Sequence, residues 1–98
     1  MNISISNIEE QSIKFLTNGN AVVTKKSPFS GIYHTATLVM TEDQYSNWLA
    51  NGELIQNALP HLTADEREFL MTGITPQEWD AVSMILLLMH VLLALWLV

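Results

Sequence analysis

The sequence predicts an α+β chain: a short N-terminal β-meander followed by three to four helices, the last running into an apolar C-terminal segment of membrane-spanning length. Three observations carry this. An Asn-Gly turn joins two β-rich runs in the first third, Thr-led capping boxes punctuate the remainder, and residues 81–98 contain no Asp, Glu, Lys or Arg.

Residues 11–16 and 21–25 flank Thr17-Asn18-Gly19-Asn20. Asn-Gly between runs rich in Ile, Phe and Val is a strong hairpin signal, because both residues tolerate positive φ. Ile3, Ile5 and Ile8 form a further short strand or fray. Ser27-Pro28-Phe29-Ser30-Gly31 reads as a turn. Residues 32–40 then alternate, with Tyr33, Thr35, Thr37 and Val39 on one face and His34, Ala36, Leu38 and Met40 on the other. The second set is more apolar and is expected to face the core, so a three-stranded meander is the plain reading.

Thr41, Thr63 and Thr75 each stand three residues before a Gln or Glu (Gln44, Glu66, Glu78), the spacing of a capping box. Pro76 suits the first helical position, where its missing N–H costs nothing. Asn51-Gly52 and Gly73 mark helix ends. Residues 53–59 read as a short helix stopped by Pro60. Tyr45, Trp48, Leu49, Leu54, Ile55, Leu59, Phe69, Leu70, Ile74 and Trp79 are expected to supply the helical side of a small core.

The chain has 98 residues, a net charge of −6 and no cysteine. Length limits it to one small domain with an appended segment. The missing cysteines exclude a disulfide framework, a thiolate metal site and a cysteine nucleophile. The acidic balance argues against nucleic acid, which needs a cationic footprint. Only 14% of residues are charged, and all of them precede residue 81. The chain therefore divides into a small soluble α+β domain, residues 1–80, and an apolar helical tail, residues 81–98.

As a helix, 18 uncharged residues span about 27 Å, close to the hydrocarbon thickness of a bilayer. The run is apolar all round, so lipid or protein must cover it. An 80-residue domain has little surface for that task, which favours a membrane anchor over a core helix or a helix buried in a homo-oligomer. Met84, Leu87, His90, Leu93 and Trp96 are the residues expected to meet lipid or a partner, and Trp79 and Trp96 fit interfacial anchors. No basic residue flanks the run, so charge sets no orientation. Residues 1–10 lack the features of a secretory signal. Insertion after synthesis, with the N-terminal part cytoplasmic, is the expectation.

His34, His61 and His90 match no ligand spacing, and the acidic run Asp65-Glu66-Arg67-Glu68 reads as a solvated helix face with a local ion pair. No phosphate loop or nucleophile elbow is present. No catalytic, cofactor-binding or metal site is expected, nor any cofactor. His90, alone in the middle of the tail, is the residue most open to a role, because an ionisable group at membrane depth needs a reason to be there.

Ser27-Pro28-Phe29-Ser30-Gly31, His34-Thr35, Leu38 before Thr41, Trp48, Gly52, Leu54-Ile55-Gln56, Pro60-His61-Leu62 and EREFLMTGITPQEWD at residues 66–80 resemble a family of small uncharacterised proteins of bacteriophages and phage-like elements, including small single-stranded DNA phages. The resemblance covers residues 28–80 and implies a viral source without implying a catalytic residue, cofactor or activity. Its matching residues are those assigned above to caps, stops and core. Members of that family end soon after the Trp-Asp pair, so the apolar tail departs from it. The combined expectation is a non-enzymatic phage-type accessory or virion-associated protein, anchored in a membrane by its C-terminal helix and acting on a host or virion protein. A lysis or host-membrane-perturbing protein and a soluble oligomeric regulator or inhibitor of a host protein are the alternatives.

Overall fold

The computed structural model describes residues 2–97. The observed class is α+β: a four-stranded antiparallel sheet followed by four helices. The strands are β1 (Ile3–Ile5), β2 (Ser12–Phe15), β3 (Asn20–Lys26) and β4 (Tyr33–Val39), in spatial order β1-β4-β3-β2. The three-stranded meander is therefore incomplete. Ile3–Ile5 does not fray; it docks on the free edge of β4, with Ile3 opposite Ala36 and Ile5 opposite His34. That edge would otherwise expose a row of unpaired backbone groups.

The β2–β3 hairpin also differs in detail. Leu16 N–H donates to Asn20 C=O, Asn18 Oδ1 accepts from Asn20 N–H, and Gly19 alone takes positive φ, at 86°. A three-residue connection needs one left-handed residue where a two-residue turn needs two, so Asn18 serves by its side chain rather than by its backbone.

Alternation sorts the sheet into two faces as expected. Ala21, Val23, Ala36, Leu38 and Met40 are buried and meet Ile55, Leu59, Leu62, Phe69 and Leu70 from the helices. The helices are α1 (Glu42–Asn51), α2 (Ile55–Ala58), α3 (Ala64–Thr72) and α4 (Pro76–Trp96). The short second helix is tighter than residues 53–59, since Leu54 is still extended at its N-cap. Leu49, Leu54 and Trp79 lie exposed rather than in the core. Trp48 and Ile55 take the inward positions beside the first two. Trp79 follows inward-facing Glu78 by about 100° of helix and so points out. Arg67 makes no ion pair with its acidic neighbours; among the described residues the one ion pair is His34–Glu78.

All three capping boxes form. Thr41, Thr63 and Thr75 accept from the backbone N–H of Gln44, Glu66 and Glu78 at 3.2, 3.1 and 3.2 Å, and those side chains accept from the Thr N–H in return. Pro76 occupies the first turn of α4. Gly73 ends α3 in the left-handed region, at φ 81°, and a Cβ there would stand 2.8 Å from Lys26 O. Both backbone conformation and space therefore require glycine at this position. Gly73→Ala is expected to lower stability by about 2 kcal/mol, read by denaturant unfolding of the full chain in mild detergent; an unchanged midpoint would contradict this packing.

Candidate functional site

The β3–β4 register brings Lys25 directly opposite His34 on the core-facing side of the sheet. Both are polar residues in positions that elsewhere hold Val23, Ala36 and Leu38. Each is matched to a helix end. Lys25 Nζ donates to Leu70 C=O at 2.8 Å and Met71 C=O at 3.3 Å, at the C-terminal turn of α3. That turn has no basic residue of its own, so a lysine from the sheet supplies both the donors and the positive charge that the carbonyl end of a helix favours. Burial lowers the Lys25 pKa from the usual lysine value.

His34 reaches the first turn of α4. Its Nε2 lies 3.3 Å from Glu78 Oε2, with side-chain exposures of 11% for His34 and 12% for Glu78. Glu78 is held from several sides. Its Oε1 accepts from Thr75 N–H at 3.0 Å, and the Ser30 and Ser27 hydroxyls add to the stabilisation of the charged carboxylate. Ser27 is fully buried, and its oxygen also accepts from Phe29 N–H and Ser30 N–H. The start of β4, just after the β3–β4 turn, is thereby joined to the first turn of α4 through His34 and Glu78. Burial pushes the Glu78 pKa up, but the hydrogen bonds from Ser30, Thr75, Ser27 and His34 outweigh it and leave the carboxyl below the usual glutamate value.

Serine, histidine and glutamate gather here, but the histidine meets the carboxylate, and Ser27 Oγ is engaged with Phe29 N–H and Ser30 N–H. That is a clasp around a half-buried carboxylate, not the nucleophile–base–orienter relay of a hydrolase. Sequence reasoning missed it. The capping box named Glu78, and the turn named Ser27 and Ser30, but 44 residues separate His34 from Glu78 and no local pattern links them. His61 is exposed and binds the Val39 carbonyl through Nε2, tying its loop to the far end of β4.

Beyond the clasp, α4 continues without cover. Every described residue from Ser83 to Leu97 is exposed. Met84, Leu87, His90, Leu93 and Trp96 all lie on this uncovered helix. A three-residue step drifts round the helix by about 60°, so the five wind about it rather than forming one stripe. Leu93 and Trp96 do meet, lining a shallow apolar hollow with Met89 and Leu92. His90 has no polar partner among the described residues. A second hollow, of about 250 Å³, is lined by Gln11, Ser12, Ile13, Lys25, Tyr45 and Leu70; the Lys25 ammonium beside it is already engaged with the α3 carbonyls. No group of three His, Asp or Glu among the described residues lies close enough to hold a metal ion.

The depressed Glu78 pKa fixes a sign. Its contribution to stability is complete above the ordinary glutamate value and is lost as pH falls through the lower value of the folded chain. The thermal midpoint should therefore fall from about pH 6 to about pH 3 more steeply for the native chain than for Glu78→Gln. Parallel slopes would show that the clasp does not hold an ionised carboxylate.

No known protein family, curated protein or solved structure matches this chain.

Proposed function

We propose that the chain is a non-enzymatic accessory protein held in a membrane by α4, with its α+β domain on the cytoplasmic side presented to a protein partner of the host or the virion. One observation carries the anchor. α4 is a helix of 21 residues, long and apolar enough to cross a membrane, and every described residue beyond Val82 is exposed. From Trp79 to Trp96 the helix rises about 26 Å, against a hydrocarbon core of about 30 Å. Left in water, so large an apolar surface on a monomer is not tolerated. Lipid covers it without demanding a particular partner.

The accessory role draws on the resemblance to small phage proteins and on the acidic surface of the domain. With a net charge of −6, the domain is steered toward cationic sites on proteins and away from nucleic acid.

Fractionation tests the anchor. The full chain expressed in bacteria should remain in the membrane pellet through high salt and alkaline carbonate, and should be released by detergent. A double Leu87→Arg/Leu88→Arg variant should shift to the soluble or aggregated fraction, since each arginine at the helix centre costs about 3 kcal/mol of insertion. Release of the native chain by carbonate as a monodisperse oligomer would overturn the anchor in favour of a tail buried between copies.

A further inference from the structure

The clasp fixes more than the direction of α4. Glu78 meets His34, just after the β3–β4 turn, and Trp79 is the next residue along the helix. The turn therefore stands level with Trp79. Its apolar side chains Phe29 and Ile32 are exposed, as is Trp79 itself. The segment after β1 comes to the same end of the sheet: Ser6 N–H donates to Tyr33 C=O at 2.9 Å, and Ile8 N–H to Ser6 Oγ at 3.0 Å. Ile5, opposite His34, is 70% exposed and Ile8 is 56% exposed. Exposed apolar groups from three separate parts of the chain thus gather where the uncovered helix leaves the domain.

We infer that this end of the domain is a second membrane contact: Phe29, Ile32 and Ile8 rest in the headgroup–acyl boundary of the bilayer beside Trp79, so that the domain sits on the membrane instead of hanging from it. The inference rests on the anchoring proposed above and deepens it. Lipid is the occupant because these groups lie at the end of the sheet from which the helix that enters lipid departs. Trp79 and Trp96 are also about 26 Å apart along α4, the separation at which both aromatic rings reach an interface. Amphipathic surfaces that bury apolar groups at this depth gain affinity from the area immersed. Charge contributes little, since Glu9, Glu10 and Asp80 are exposed nearby and Lys26 is the exposed cation at this end. The contact therefore does not depend on anionic lipid.

The chain has no cysteine, so each introduced cysteine is unique. Phe29→Cys, Ile32→Cys, Ile8→Cys and, at the opposite end of β4, Val39→Cys would each carry an environment-sensitive fluorophore in the full chain, inserted into phosphatidylcholine vesicles. The labels at 29, 32 and 8 should be quenched by aqueous iodide several-fold less than the label at 39, and more strongly by a headgroup nitroxide lipid. Circular dichroism of each labelled chain excludes unfolding as the cause. Equal iodide quenching at all four positions in a carbonate-resistant chain would overturn the contact and leave the anchor standing. Failure to resist carbonate would overturn both. Shielding that rises with the protein-to-lipid ratio would overturn it in favour of contact between copies.

Discussion

The structure depends on one pair of neighbours, Lys25 and His34, opposite each other on the core face of the sheet. Polar side chains in such positions destabilise a fold unless they are matched. Here the lysine meets the helix end whose partial charge suits it, and the histidine meets a carboxylate. The lysine stands at the carbonyl end of α3, and the histidine faces a carboxylate that caps the start of α4. The connection between those two helices is short, and its close approach to β3 is what excludes a side chain at Gly73. The β3–β4 register thus determines where α3 stops, where α4 starts and at which end of the sheet both occur.

That arrangement gives the apolar helix a fixed root. A tail joined by a flexible linker would leave the domain free to turn; here the first turn of α4 is bound by its own cap and by His34 of the sheet. The molecule is accordingly long, 59 Å in its largest dimension against 31 and 20 Å in the others. On the reading proposed, the domain's height and orientation over the bilayer follow from the clasp rather than from a partner, and a partner meets a surface held at constant depth.

Much of this was legible because it is local. Capping boxes are read from residues three apart, and each one predicted from a threonine is present. Strand alternation placed Ala36, Leu38 and Met40 correctly, and composition alone marked the apolar run that forms most of the last helix. What escaped was set by contacts distant in sequence. Ile3–Ile5 carries too few residues to declare a strand and is ordered by the edge of β4. Lys25 and His34 look like ordinary strand residues until α3 and α4 arrive against them. Residue type alone puts Leu49, Leu54 and Trp79 in the core, but helical phase turns them outward beside Trp48, Ile55 and Glu78.

The central claim is that α4 is a spanning helix whose near end is fixed at Trp79. A depth profile along it is the most direct measurement: single cysteines at Ser83, Leu87, His90, Leu93 and Leu97, spin-labelled in phosphatidylcholine vesicles, compared for collision with oxygen and with a water-soluble nickel chelate. The account predicts shallow labels at 83 and 97 and a maximum depth at 87–90, midway between the two tryptophans. A uniform depth along the helix would mean that it lies flat in the interface, and labels accessible to the chelate throughout would mean that α4 does not enter the membrane.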